Sequence, residues 1–379
     1  MKPQLAIIAQ SFFNPNNPDS LNIGGVETWL MEFVRLLVSF GYAPVLYQTS
    51  AKDFSINFEG AEVIGLGGLN RHRMTHLSHL DIDKRRIKNI VYANSFVGEK
   101  EYRKGQIFIQ HGIHWDYTTS PTNFRSRIKW EFIRRRLSRH DLKMCRDARL
   151  TICVDSNFVN YARTMLRHRF VPEKMQYIPN FAEPREKALW AGKWNNPETI
   201  NIIFARRFEQ RRGVLIFAQA IEQILESASN IHVCFAGWGT FSDFIKKKFE
   251  NSKQVTIQAI PHEQMAEHLD KTHIAVIPST YSEGTSLSCL EAMASGCAVV
   301  ASDVGGLGNI VLPDFNGLLI RPIADEITHS IKKLIDDLPF AEKIARQGHE
   351  TISQAFSISQ WQQRVGQALT RAGIPILSK

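Results

Sequence analysis

The sequence predicts an α/β protein built as two successive parallel-sheet units. Three observations predict it. The chain has 379 residues, enough for two domains of ordinary size. Short apolar runs alternate with stretches of helical periodicity, the pattern of βαβ units whose helices cover a parallel sheet. The alternation stops at Phe181–Glu198, where Pro, Trp and charged residues replace it, and then resumes. Hydrophobic residues make up 44% and charged residues 22%, which supplies a large core and excludes a disordered chain.

In chain order, Leu5–Ala9 is the first predicted strand. Asn14–Asn22 is a long turn-rich loop, of the length that is often functional. A Gly24–Gly25 turn leads into a helix over Val26–Phe40, with Trp29, Phe33, Leu36, Leu37 and Phe40 on one side. Gly41 stops it, as glycine does just past a helix. Ala43–Tyr47, Ile87–Tyr92, Gln106–Gln110, Leu150–Val154 and Tyr177–Pro179 are the remaining strands of the first series. Phe181–Glu198 is the expected interdomain linker. The second series has strands at Ile200–Ala205, Ile231–Ala236, Val255–Ala259, Ile274–Pro278, Ala298–Ala301 and Gly317–Ile320. Helices over Val214–Leu225, Ser286–Ser295 and Ser357–Ala372 accompany it. Open α/β sheets bind ligands beyond the carboxyl ends of their strands, so two such edges facing a central cleft are expected to enclose a substrate.

Charge narrows the partners. The net charge of +9 favours phosphorylated substrates, an anionic membrane face or nucleic acid. Arg125–Arg149 holds ten Lys/Arg against three Asp/Glu, with Ile133, Leu137, Met144 and Ala148 near one helical face. That pattern suits either a helix lying on an anionic membrane or a sheet-packing helix with a solvated basic face. Nucleic acid is not expected, because no recognisable binding module accompanies the charge. Cys145, Cys153, Cys234, Cys289 and Cys297 form no C-x-x-C pair and have no histidines at zinc spacing. They read as small core hydrophobes in a reducing compartment. Leu5–Ala9 is too short for a signal-peptide core, and no run approaches the ~20 apolar residues of a membrane span. The expectation is a cytoplasmic protein, peripheral at most on the inner face of the membrane.

Chemistry concentrates at Pro278–Gly306, PSTYSEGTSLSCLEAMASGCAVVASDVGG. A strand ends at Pro278, a small-residue loop carries Glu283, Gly284, Thr285 and Ser286, and a helix runs to Ser295. The unpaired N–H groups at that helix start suit a phosphate. Glu283 in the loop and Glu291 inside the helix can address one ligand, and a carboxylate accepts vicinal hydroxyls well. The Ala205–Ile221 stretch clusters Arg206, Arg207, Arg211 and Arg212 at another strand end. FAGWGTF (Phe235–Phe241) is a near miss to the dinucleotide fingerprint and weak evidence for NAD.

EGTSLSCLEAMASGCAVVASDVGG resembles the E-x7-E signature of glycosyltransferase family 4. Cys297-Ala298 stands where that family has a small residue and proline. IGGVETW (Ile23–Trp29) resembles the family's glycine loop, QHGIHWD (Gln110–Asp116) its histidine element, FAGWGTF its G-x-G turn, and NGLLIRP and FSISQW its closing elements. In ARRFEQRRG, Arg207 matches the family arginine and Arg212 its lysine, while Arg206 stands where a glycine is usual. The resemblance implies the GT-B fold, two Rossmann-like domains with the C-terminal helix returning to the N-domain. It implies an acceptor-side domain over 1–182 with 357–379 packing back on it, and a donor-side domain over 199–356. It implies retaining transfer from a nucleotide-sugar donor, a UDP-sugar or GDP-mannose, to a glycan or lipid-linked acceptor, in cell-envelope polysaccharide or lipopolysaccharide synthesis. Glu283, His111, Arg207 and Arg212 are the implied catalytic residues. Gly24, Gly25, Gly237, Gly284, Thr285, Ser286, Leu287 and Glu291 are the implied donor-binding set. No metal and no other cofactor is implied; Asp81-Ile82-Asp83 has the letters of a metal-binding D-x-D but lies in a basic, His-rich stretch expected to be irregular. Two alternatives accompany this reading: a catalytically silent partner subunit, prompted by Arg206, and a nucleotide-sugar epimerase of the same fold.

Overall fold

The computed structural model describes residues 2–22, 24–94, 101–113, 115–116 and 124–377. The chain divides into two compact units: residues up to Pro179 together with those from Gln362, and Asn180–Trp361.

The first unit runs β1 (Gln4–Ile8), β2 (Phe13–Asn14), β3 (Asn17–Leu21), α1 (Gly25–Ser39), β4 (Ala43–Thr49), β5 (Phe54–Phe58), β6 (Ala61–Leu66), α2 (Arg71–Lys84), β7 (Ile90–Tyr92), β8 (Ile107–Gln110), α3 (Phe124–Asp147), β9 (Leu150–Cys153), α4 (Ser156–Leu166) and β10 (Met175–Tyr177). Its large sheet has the order β10-β9-β8-β7-β1-β4-β6-β5, parallel except where β5 pairs antiparallel with β6. β7, β8 and β9 are buried along their whole length, as parallel strands covered on both faces must be. α1 buries Trp29, Phe33, Leu36 and Leu37, the side that its periodicity marks.

Three parts of this unit differ from the sequence-based expectation. Asn14–Asn22 is largely a hairpin, β2 against β3, with Asn14 opposite Asn17. Its residues are polar on both faces, so no apolar period reveals it. The buried Gln48 amide secures the hairpin's start by accepting from the Phe12 and Phe13 N–H groups at 2.8 and 2.7 Å. The Asp81–Asp83 stretch is helical: Asn70 caps α2 by accepting from the His72 and Arg73 N–H groups. Its carboxylates are engaged separately, Asp81 with Arg85 and Asp83 with Arg103, each at 2.7 Å. The last strand lies at Met175–Tyr177, slightly before Tyr177–Pro179.

The second unit runs α5 (Lys187–Trp190), β11 (Ile200–Ala205), α6 (Val214–Leu225), β12 (Ile231–Ala236), α7 (Ser242–Lys248), β13 (Val255–Gln258), α8 (His262–Asp270), β14 (Ile274–Ile277), α9 (Leu287–Ala294), β15 (Ala298–Ser302), β16 (Leu318–Ile320), α10 (Ala324–Asp336) and α11 (Leu338–Thr351). A π-helical turn over Ile352–Phe356 follows. The last helix, α12 (Ile358–Arg371), begins in this unit, and its residues from Gln362 belong to the first. There Tyr42 donates from its hydroxyl to the Pro375 carbonyl at 3.0 Å, and the Leu377 N–H donates to the Phe40 carbonyl at 3.0 Å. The second sheet is wholly parallel, in the order β13-β12-β11-β14-β15-β16. Numbered within the sheet this is 3-2-1-4-5-6, a doubly wound sheet whose order reverses between β11 and β14.

The expected linker is instead part of the second unit. Trp190 and Trp194 are buried in its core. Arg185 pairs with Asp270 at 2.6 Å, and the Trp194 indole N–H donates to the Gly296 carbonyl at 3.3 Å. Lys193, sheathed by these elements, donates to the Ser295 carbonyl at 2.9 Å. A strap anchored by single large aromatics has no repeating period, which is why the sequence resembles a linker there. Trp190→Ala is expected to destabilise the protein by ~3–5 kcal/mol, the cost of emptying a large core site. Equilibrium unfolding in urea measures it; a loss under ~1 kcal/mol would fit a surface linker and not this packing.

Candidate active site

The reversal in strand order between β11 and β14 determines which loops share one sheet edge. The loop after β11 carries Arg206–Gly213, and the loop after β14 carries Pro278–Ser286. Gly213 joins them: its φ of +77° turns the chain into α6, and a Cβ there would lie 1.8 Å from the Pro278 carbonyl oxygen. Only glycine allows both the left-handed turn and that approach.

Glu283 is the centre of the cluster. Its side chain is 9% exposed. Oε1 accepts from Arg206 Nη2, from Ser279 Oγ and, at 2.5 Å, from Arg212 Nη1. Arg206 Nη1 also donates to Ser279 Oγ. Burial pushes the Glu283 carboxyl upward, but the charges of Arg206 and then Arg212 outweigh it and hold the group at about 2. Among the described residues, Oε2 of Glu283 has no hydrogen-bond partner. Arg212, 29% exposed, commits one Nη to the carboxylate and keeps its remaining donors for something else.

Loop Gly284–Ser286 leads into α9, which opens at Leu287. Ser286 stands at the N-cap position, and its own side chain makes no capping hydrogen bond to the N–H groups of the first turn. The loop is braced from two sides. The Asn180 amide donates to the Thr285 carbonyl at 2.6 Å, and the Gly306 N–H donates to the Glu283 carbonyl at 2.7 Å. Gly305, at φ +53°, lies so close that a Cβ would be 2.4 Å from the Glu283 carbonyl oxygen. Glu291 sits on the next turn of α9, and its carboxylate has no hydrogen-bond partner among the described residues. Burial pushes it upward, opposed by the charge of His262 at the start of α8.

The other expected residues are placed differently. Arg207 does not reach Glu283. It is 44% exposed and lies 5.5 Å over the ring of Trp238, near Glu209. The guanidinium that joins Arg212 at Glu283 belongs to Arg206, the residue that departs from the family pattern. Gly237 has its N–H bonded to the Gln258 carbonyl, and a Cβ there would meet the Arg206 carbonyl oxygen at 2.0 Å. Close packing of two turns therefore accounts for that glycine. Gly24 and Gly25 open α1 in the first unit, where the Glu27 carboxylate closes on Gly24 and accepts from Ser11 Oγ at 2.9 Å. A carboxylate in that position opposes a phosphate. His111 follows β8 with its ring edge-to-face against Trp29 at 5.5 Å. Burial pushes it down to about 4, so it is neutral, and its Nε2 has no partner among the described residues.

Sequence reasoning missed Ser279, the bracing role of Asn180 and the pairing role of Arg206. None carries a local signal; they converge only once β11 and β14 are neighbours. Among the described residues, no group of three or more His, Cys, Asp or Glu side chains is arranged to hold a metal.

Residues 186–351 match the family model Glycosyl transferases group 1. The matched segment contains the whole Arg206–Arg212–Glu283–Glu291 constellation. An uncharacterised glycosyltransferase of Methanocaldococcus jannaschii is 27% identical over 200 residues, which are 49% of this chain and 51% of that protein. A phosphatidylinositol N-acetylglucosaminyltransferase component of Arabidopsis thaliana is 27% identical over 50% of this chain and 42% of its own. The lipopolysaccharide 1,2-N-acetylglucosaminetransferase of Salmonella typhimurium is 28% identical over 36% and 39%. The chain thus spans about half or less of the curated relatives it matches. Among solved structures, sucrose-phosphate synthase of Thermosynechococcus elongatus superposes with a TM-score of 0.78 at 17% identity, over 98% of this chain and 99% of that one. Anabaena HepE, solved with UDP, superposes with a TM-score of 0.69 at 16% identity, over 97% and 99%. The fold is GT-B.

The Glu283 cluster predicts a pH dependence of stability. Its folded value lies below the ordinary 4.5, so its stabilisation is complete above that value and is lost as pH falls toward about 2. Glu283→Gln removes this acid-dependent part and leaves Arg206 without its counter-charge, at a cost of ~3–5 kcal/mol near neutrality. Urea unfolding of both proteins between pH 3 and 7 measures it; parallel curves of equal height contradict the pairing.

Proposed function

We propose that the protein is a retaining, metal-independent glycosyltransferase that moves a sugar from a nucleotide-sugar donor to a glycan or lipid-linked acceptor. The observation that carries this reading is the Arg212–Glu283–α9 arrangement at the reversal point of a doubly wound sheet, inside the segment that matches the glycosyltransferase family. Transfer breaks the bond between the anomeric carbon and the diphosphate, and the leaving phosphate keeps the electron pair. The ring gains positive character and the phosphate negative charge, so fixed positive charge at the phosphate lowers the barrier. Arg212 and the N–H groups around Thr285–Leu287, at the start of α9, supply it in this proposal, with Arg207 a more distant contributor. Glu283 holds donor-sugar hydroxyls, and Glu291, whose carboxyl burial pushes upward against the charge of His262, holds the ribose. Retention follows when the acceptor oxygen attacks from the face that the phosphate leaves and hands its proton to a phosphate oxygen. His111, neutral and with no partner for its Nε2 among the described residues, is retained as a proposed catalytic residue.

The donor is a UDP-sugar or GDP-mannose in this reading, and the acceptor belongs to cell-envelope polysaccharide or lipopolysaccharide. The relatives that carry N-acetylglucosamine to phosphatidylinositol or lipopolysaccharide support a lipid-linked acceptor. A basic helix supports it too. Of the apolar face expected on α3, Met144 and Ala148 are buried in the core and Leu137 packs against it, so they are unavailable to a membrane. The earlier half of α3 is open instead, with Ile128 44% and Phe132 69% exposed one turn apart, among exposed Arg125, Arg127, Lys129, Arg135 and Arg136. Two apolar side chains ringed by cations fit an anionic lipid surface. No helix among the described residues is long and apolar enough to cross a membrane.

Thermal unfolding against UDP, GDP, ADP, CMP and their sugar conjugates, with EDTA present, tests the donor site. One nucleotide at 100 times its Kd adds ~2.7 kcal/mol of stability; no shift with any of them would sink the proposal. With the donor known, Glu283→Ala is expected to lower turnover ~10²-fold or more. The product's anomeric configuration, read by NMR, decides retention against inversion. For the membrane, flotation with phosphatidylglycerol vesicles is expected to carry the protein, and an Ile128→Ser, Phe132→Ser double variant to stay behind. Equal flotation of both, or none of either, contradicts the α3 contact.

A further inference from the structure

Arg206 occupies the place in the arginine segment where the family pattern has its first glycine, so the resemblance assigns it nothing. We propose that Arg206 is a positioning residue, fixing Glu283 so that Oε1 is held by the protein and Oε2 is presented to a hydroxyl of the donor sugar. This inference rests on the donor-site reading above.

The geometry divides the carboxylate in two. The Arg206 side chain is 6% exposed and splits its guanidinium between Ser279 and Glu283 Oε1. Ser279 donates to the same Oε1, so guanidinium, hydroxyl and carboxylate close a ring of three mutual contacts. Arg212 approaches Oε1 from the more open side. Three donors therefore converge on one oxygen, and none of the described residues takes the other. A planar guanidinium can bridge a hydroxyl and a carboxylate with two parallel donors, whereas an ammonium is a single point of charge. Glycine at this place would leave the buried carboxylate with Ser279 and Arg212 only. Arg206 is enclosed and both its Nη groups are engaged, so it acts through Glu283 and does not touch the leaving phosphate. Cys289 on α9 is the other titratable neighbour; burial, then the charge of Glu283, pushes its thiol up to about 12, so it stays neutral.

The test uses the full-length protein with Arg206→Met and Arg206→Lys. Side-chain carboxyl ¹³C NMR, with the Glu283 signal assigned against Glu283→Gln, reads the carboxylate directly. In the wild type the signal is expected to stay ionised throughout pH 4.5–8. In Arg206→Met a titration step is expected inside that window, because burial then dominates. Isothermal titration gives the second readout, with UDP against UDP-glucose and GDP against GDP-mannose. Arg206→Met is expected to bind the bare diphosphate as the wild type does and to lose the extra affinity given by the sugar. Its kcat/KM is expected to fall ~10²-fold, the scale of a lost oriented contact. Arg206→Lys, which keeps charge without the fork, is expected to fall between. Equal losses for diphosphate and nucleotide sugar would make Arg206 a phosphate ligand and overturn the proposal. So would an unchanged Glu283 signal in Arg206→Met or a wild-type signal that titrates in the window. Should Arg206→Met not fold, the wild-type titration and Arg206→Lys decide by the same criteria. If the wild type binds no nucleotide at all, the donor-site reading fails, while the NMR titration still decides whether Arg206 governs Glu283.

Discussion

A carboxylate removed from water must be compensated, and the way Glu283 is compensated organises the second unit's candidate site. One carboxylate oxygen collects two guanidinium donors and a serine hydroxyl from the loops after β11 and β14. Those loops meet because the strand order reverses between β11 and β14. Gly213, Gly305 and Gly306 let backbone approach backbone where a Cβ would clash, and Asn180 ties the same loop through the Thr285 carbonyl. Loss of one partner leaves a buried charge unpaired, so the loop geometry and the ionisation of Glu283 stand or fall together.

The cluster also sorts the positive charge. Arg206 is consumed in holding the carboxylate, whereas Arg212 contributes to it and keeps free donors at a more open position. With the uncapped start of α9 close in sequence, the site has a fixed anion that can accept hydroxyls and a fixed cation that can receive a phosphate. This is the pairing that glycosyl transfer from a nucleotide sugar requires. The arginine that departs from the family pattern therefore does not argue for a silent partner.

Much of the fold was legible in the sequence, and the legible parts share a cause. Strands such as β11 and β14 are buried along most or all of their length and stand out as apolar runs; α1 and α6 show a one-sided apolar stripe. The β2–β3 hairpin and α2 escaped because they are polar and depend on Gln48 and Asn70 for their local bonds. The strap over Phe181–Glu198 escaped because two tryptophans, not a period, attach it. At the candidate site, the motif pointed to Glu283, Glu291 and the loop, and matching by position pointed to Arg212, which the structure brings onto Glu283. It favoured Arg207 over Arg206 because alignment counts places along a chain, whereas the direction of a side chain depends on what is buried beside it. On α3 the apolar residues near one face were visible, but whether they meet a sheet or a membrane depended on tertiary packing.

The most direct test of the Glu283 arrangement as a donor site is a crystal structure of the protein with an intact nucleotide sugar. The diphosphate is expected within hydrogen-bonding distance of Arg212 and the first N–H groups of α9, with a sugar hydroxyl on Glu283 Oε2 and Oε1 still held by Arg206 and Ser279. A nucleotide bound elsewhere, or bound there with Arg206 turned away from Glu283 and onto the phosphate, would contradict it.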